Sequence, residues 1–178
     1  MSLHATTSQT VGPYLHIGLT WLIIENLASA RVAGERVSIE GRIVDGDGQP
    51  VNDAAVEIWQ ADSRGRYGTK SFRGFGRSAT DANGVFRFRT IKPGRVAGPD
   101  EKLQAPHIAV NIFMRGQLKQ LVTRIYFPGD AANAADPVLR LVPAERRATL
   151  IARKSGEAGA LRWDVILQGK DETVFFDA

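Results

Sequence analysis

Pro106-His107-Ile108-Ala109-Val110-Asn111-Ile112-Phe113-Met114-Arg115 alternates with a period of two. Ile108, Val110, Ile112 and Met114 fall on one side; His107, Ala109, Asn111, Phe113 and Arg115 fall on the other. That period belongs to a strand, and the unbroken apolar side needs a core to face. The second side carries a histidine and, two residues on, an alanine. Side chains at i and i+2 of a strand project the same way, so an imidazole at 109 would have made a natural metal pair with His107. A methyl group stands there instead. The stretch is either an ordinary core strand or a metal strand short of a ligand.

Working outward, the same period recurs. Arg36 to Val44 places Val37, Ile39, Gly41 and Ile43 on one face. Ala54 to Ala61 carries Val56 and Ile58. Val85 to Ile91 sets Phe86, Phe88 and Thr90 against Val85, Arg87 and Arg89. Leu121 to Phe127 sets Leu121, Thr123, Ile125 and Phe127 on one face, and the last strand turns Leu161, Trp163, Val165 and Leu167 inward. Turn signals separate them: Asp45-Gly46-Asp47-Gly48, Asp62-Ser63-Arg64-Gly65-Arg66, Asn83-Gly84, Pro93-Gly94 and Gly116-Gln117. The first of these lacks the further oxygen ligands of a calcium loop and reads as a plain hairpin turn. Residues 68–79 and 94–105 lack clear periodicity and read as long loops, the usual seats of function on a rigid sheet. Pro143 to Arg153 reads as one short helix, with proline suited to its first turn and Leu150 and Ile151 on its buried side. The expectation is all-β: an antiparallel β-sandwich of about seven strands, one domain over residues 1–178, with an extended N-terminal arm over 1–20. That arm contains Thr10-Val11-Gly12-Pro13-Tyr14-Leu15-His16, too apolar to be loose. It either lies on the body or crosses to a partner and lines a cavity.

The 178 residues suffice for a core without staples, a chain of this size burying about 70% of its unfolded surface. There is no cysteine, which excludes disulfides, thiolate metal sites and cysteine nucleophiles, and fits the cytoplasm. The net charge of +4 comes from 23 basic residues spread among 19 acids, with no basic run long enough to argue nucleic-acid binding. Only Leu19 to Ile24 is continuously apolar near the N-terminus, too short for a membrane span and without the basic flank of a signal peptide. The histidines, at 4, 16 and 107, show no ligand spacing. No nucleophile elbow, phosphate loop or paired carboxylates are present. On chemistry alone the chain is a β-sandwich binding module or a subunit rather than a free-standing enzyme.

Five segments in order change that reading: Glu57-Ile58-Trp59-Gln60-Ala61-Asp62, Gly65-Arg66-Tyr67, Phe88-Arg89-Thr90-Ile91-Lys92-Pro93-Gly94, Pro106-His107-Ile108, and Thr123-Arg124-Ile125-Tyr126-Phe127-Pro128-Gly129-Asp130. Together they resemble the intradiol ring-cleaving dioxygenases. Ser8-Gln9-Thr10-Val11-Gly12-Pro13-Tyr14 and Glu172-Thr173-Val174-Phe175-Phe176-Asp177 extend the resemblance to the alpha subunits of the protocatechuate 3,4-dioxygenases. It implies a ferric ion held in active subunits by two tyrosinates and two histidines, phenolate oxygens suiting a trivalent ion. Carried over by position, those ligands fall on Tyr67, Val96, His107 and Ala109, and an arginine of active subunits falls on Gln104. Two of four ligands are missing, so the resemblance implies a vestigial iron site and no metal or cofactor on this chain. The ferric iron is then expected in a partner beta subunit, with protocatechuate and O2 at a shared site. Thr10, Gly12, Pro13 and Tyr14 of the arm, and Arg124, are the candidate substrate-cavity residues. Packing alone offers alternatives: Tyr67 as a loop aromatic, His107 as a core or interface histidine, Arg124 in an ion pair. The function alternatives are a non-catalytic assembly module and a divergent homo-oligomeric dioxygenase.

Overall fold

In the computed structural model, which describes residues 17–98 and 101–177, two sheets pack face to face. The strands are β1 (Arg36–Val44), β2 (Ala55–Trp59), β3 (Phe75–Ala79), β4 (Val85–Ile91), β5 (Val96–Ala97), β6 (Leu103–Gln104), β7 (His107–Phe113), β8 (Leu121–Tyr126), β9 (Arg153–Lys154), β10 (Ala160–Arg162) and β11 (Val165–Ile166). The first sheet runs β3-β2-β7-β8 and is antiparallel throughout. The second is centred on β1. One edge of β1 pairs with β4 antiparallel; the other takes β10 and then β11, both parallel.

The alternation read from the sequence decides which faces meet. Val37, Ile39 and Ile43 of β1, Phe86 and Phe88 of β4, and Leu161, Trp163 and Val165 press against Val56, Ile58, Ile108, Val110, Ile112 and Ile125 of the other sheet. Gly41 shares this inner face because nothing larger fits. A Cβ there would overlap the Phe86 ring and the Trp163 carbonyl oxygen. Residues 24–27 strap the layers. Ile24 exchanges hydrogen bonds with Arg77 on the β3 edge, and Leu27 N donates to Arg89 O on the β4 edge at 2.8 Å. The buried Gln60 amide also spans them, donating to Ile91 O at 2.9 Å and accepting from Thr90 Oγ1 at 2.8 Å.

The sandwich stands as expected, with local corrections. The stretch 68–79 is not all loop: β3 occupies its second half, alternating inward at Gly76 and Ser78. Small and polar inward residues carry no hydrophobic signal, so the period was invisible. Residues 94–105 are likewise not all loop, because β5 and β6 pair within them, Val96 opposite Gln104. The segment 143–153 is no α-helix. It holds a 3-10 helix, Ala144–Leu150, with Arg146 N donating to Pro143 O at 2.9 Å, and then strand β9. A 3-10 helix rises more per residue than an α-helix. It carries the chain from Pro143 to Ala152, whose N–H is tied to Tyr126 O at 3.0 Å. Among the described residues no helix is long and apolar enough to cross a membrane.

Candidate functional site

The outer face of the first sheet carries the residues singled out in the sequence. Trp59 on β2 stands opposite Ala109 on β7, and Ala109 opposite Arg124 on β8, so the three form one cross-strand row. One step along, His107 faces Tyr126, their rings 5.8 Å apart. Tyr67 reaches this row from the turn after β2. The Asp62 carboxylate builds that turn, accepting from Arg64 N, Arg66 N and the Arg66 guanidinium between 2.8 and 3.0 Å. Those donors hold its pKa below the usual carboxylate value against the opposing effect of burial. Gly65, at φ 77°, lets the backbone close onto Arg95, where any side chain would strike the Arg95 carbonyl. Asp62 O also accepts from Gly94 N at 2.9 Å. Together these contacts fix the Tyr67 turn beside the Lys92-Pro93-Gly94 turn that leads into Val96.

Arg124 is where the four carried-over positions converge. Its Nη1 donates to Gln104 Oε1 at 2.6 Å, and Gln104 pairs with Val96. Ala109 is its cross-strand neighbour. Its charge adds to the lowering of the His107 pKa by burial and works against the raising of the Tyr67 pKa by burial. Its guanidinium lies 6.0 Å from the Phe176 ring centroid. Tyr67 itself is 43% exposed and stacks on Trp59, centroids 5.8 Å apart and planes 11° off parallel. Burial raises its phenol pKa, with Arg124 opposing. Thr10, Gly12, Pro13 and Tyr14 lie outside the described residues.

Behind this face lies a polar cluster that sequence reasoning missed. Asp136 is fully buried. Its Oδ2 accepts from Ala105 N at 2.7 Å. Its Oδ1 accepts from Tyr126 Oη and Val138 N, each at 3.0 Å, and from Leu139 N at 2.7 Å. The sequence signal was an Asp-Pro pair followed by two apolar residues, the form of an Asx cap. Burial raises the Tyr126 phenol pKa, and the Asp136 charge raises it further.

His107 is 5% exposed, with Nδ1 2.8 Å from Ala105 O. Burial holds its pKa below the ordinary imidazole value and the Arg124 charge adds to that; the Ala105 carbonyl and Asp136 oppose. The unfolded chain therefore takes up this proton first as pH falls. Stability from this group is complete above about 6.5, the ordinary imidazole pKa, and declines below it toward the lowered folded value. Urea midpoints between pH 5 and 8 should fall below about pH 6.5 more steeply for the wild type than for His107→Gln. Parallel curves would contradict this.

These residues do not fit a ferric ion. Val96 offers only methyl groups and is buried, Ala109 offers a methyl, and the Tyr67 ring is stacked against Trp59. Among the described residues no group of three or more His, Cys, Asp or Glu is placed to hold a metal. A ferric site needs ligand number and geometry together.

Comparisons with known proteins give the family. Residues 24–169 match the family model described as Dioxygenase. The chain is 45% identical to the protocatechuate 3,4-dioxygenase alpha chain of Burkholderia cepacia, over 99% of this chain and 98% of that one. It is 37% identical to the beta chain from the same organism, over 93% of this chain and 77% of that one. Among solved structures, the dioxygenase domain of a carbohydrate-binding fusion from Streptomyces sp. SirexAA-E aligns with a TM-score of 0.67 at 26% identity. That alignment covers 96% of this chain and 100% of the other.

Proposed function

The chain belongs to the intradiol dioxygenase family, and from that premise we propose that it is the alpha-type subunit of a protocatechuate 3,4-dioxygenase whose ferric iron sits in a homologous beta subunit. The family uses ferric iron; this chain serves as a subunit of such an enzyme. The reaction joins both atoms of O2 to protocatechuate and cleaves the ring between the two hydroxyl-bearing carbons, giving 3-carboxy-cis,cis-muconate. No step runs on this chain's own residues. Its part is to complete the cavity: Thr10, Gly12, Pro13 and Tyr14 of the arm form walls of the partner's substrate pocket. Arg124 adds positive potential toward a carboxylated substrate, acting over a distance because its Nη1 is engaged by Gln104.

One observation carries this reading. Similarity to an alpha chain runs almost end to end, while Val96 and Ala109 stand at two of the four ligand positions. Co-expression with the beta-type partner should yield a complex with one iron per alpha–beta pair by metal analysis, and the chain purified alone should be colourless and inactive. Two irons per pair, or a tyrosinate-to-iron absorption band from this chain alone, would overturn it. Removing residues 1–14 should lower kcat/KM of the assembled complex by about tenfold or more, since a displaced wall both misplaces substrate and admits water. Unchanged turnover in an intact complex would remove the cavity role.

A further inference from the structure

We infer that the Arg124 guanidinium is the resident cation of this site, a fixed positive charge that excludes a metal ion independently of the missing ligands. The inference rests on the reading of the site as vestigial and adds a cause to it. Loss of the tyrosine and histidine ligands at positions 96 and 109 explains weak binding. It does not explain why the remaining polar groups gather around one arginine.

The gathering is specific. Gln104 is buried, and its amide oxygen accepts from Arg124 Nη1 at 2.6 Å. Val96, the lost tyrosine position, pairs with that same Gln104. Ala109, the lost histidine position, is the direct cross-strand neighbour of Arg124. Cβ atoms of such a pair are about 5 Å apart on one face, so an imidazole at 109 would compete with the arginine side chain for the same space. The methyl of Ala109 leaves that space open. The retained His107 lies on the same face of β7 as Ala109, and Tyr67 reaches that row by stacking on Trp59 at 5.8 Å. Among the described residues Arg124 forms no ion pair; its partners are the Gln104 amide oxygen and the Phe176 ring. A neutral amide oxygen and an aromatic face around a guanidinium that no carboxylate contacts are the surroundings of a cation site already filled. Guanidinium stays protonated throughout the accessible pH range, so the charge is permanent. A second cation a few ångströms away meets repulsion in a partly buried, poorly screened place.

The test restores both lost ligands in the full chain, with and without the arginine. Val96→Tyr/Ala109→His is compared with Val96→Tyr/Ala109→His/Arg124→Gln after loading with iron under air, by metal analysis and by the tyrosinate-to-iron absorption band. The arginine-free variant should hold at least tenfold more iron, and Arg124→Lys in the same background should stay iron-poor because the charge remains. Equal iron in the first two, whether high or absent, overturns the inference. Wild-type chain run alongside should carry no iron; iron there would instead defeat the vestigial reading. Should the triple variant fail to fold, Ala109→His and Ala109→His/Arg124→Gln are titrated with Zn2+ by calorimetry. The imidazoles at 107 and 109 then form a pair on one strand face. Removal of Arg124 should tighten Zn2+ at least tenfold, and equal affinity overturns the inference.

Discussion

Replacing Asp136 with alanine is expected to lower stability by about 3–5 kcal/mol, a large part of the roughly 5–15 kcal/mol that holds a domain together. The carboxylate is fully buried and accepts four hydrogen bonds. Alanine leaves three backbone N–H groups and the Tyr126 hydroxyl without an acceptor in a place walled by Ala105, Leu139, Val142 and Leu150. Each stranded donor costs about 1–3 kcal/mol, and relief from losing a buried charge returns only part of that. Asp136→Asn separates the contributions. Its remaining oxygen can serve Tyr126, Val138 and Leu139, but its amide nitrogen confronts Ala105 N–H, donor against donor. A loss of about 1–3 kcal/mol is expected there. Urea denaturation read by tryptophan fluorescence measures both. An alanine variant within about 0.5 kcal/mol of wild type, the ordinary scatter of surface substitutions, would show that the four bonds contribute nothing net.

The strands that could be read from sequence are those whose inward residues are large. Phe86 and Phe88, or Ile108, Val110 and Ile112, announce a core face because only burial accounts for them. Strand β3 escaped because its inward positions are Gly76 and Ser78. Gly76 is small because Leu27 and Ile58 crowd it, and Ser78 is inward to bond Glu25 at 2.7 Å. Parallel pairing of β10 and β11 with β1 was also out of reach. It depends on where the long connection through residues 127–159 returns the chain, and no local pattern carries that.

Part of the candidate site was legible for a different reason. Tyr67, Val96, His107 and Ala109 were placed by resemblance, residue by residue, and the fold brings their surroundings together around Arg124. The rest was not legible. Gln104 was placed by resemblance without its bond to Arg124, and Asp136 was missed; both lie on segments without periodicity, and their roles arise from a side chain 20 residues away and a backbone donor 31 residues away. Polar residues in loops are common, and only the folded chain shows which of them are buried.

Phe86→Ala should cost about 3–5 kcal/mol, the range for removing an aromatic ring from a packed core. Phe86 is 1% exposed, edge-on to Trp163 at 6.3 Å and 6.2 Å from Phe88. It also lies directly across the β1–β4 ladder from Gly41, filling the space a side chain there would need. Gly41→Ala alone should therefore cost about 1–3 kcal/mol by overpacking. The two changes should not add: in the double variant the new methyl enters the cavity left by the ring, and the total should fall short of the sum by about 1 kcal/mol. Relief stays partial because the Trp163 carbonyl still blocks position 41. The effect should reach the candidate site through a traceable route. Trp163 Nε1 donates to Thr149 O at 3.0 Å, which anchors the Ala144–Leu150 helix, and Leu150 packs with Tyr126 in the second core. Loosening Trp163 should thus make amides at Leu139 and Ala152 exchange faster with solvent in Phe86→Ala, while the edge strand β3 changes little. Uniform acceleration across both sheets would mean that the ring supports only global stability and that the route through Thr149 carries no coupling.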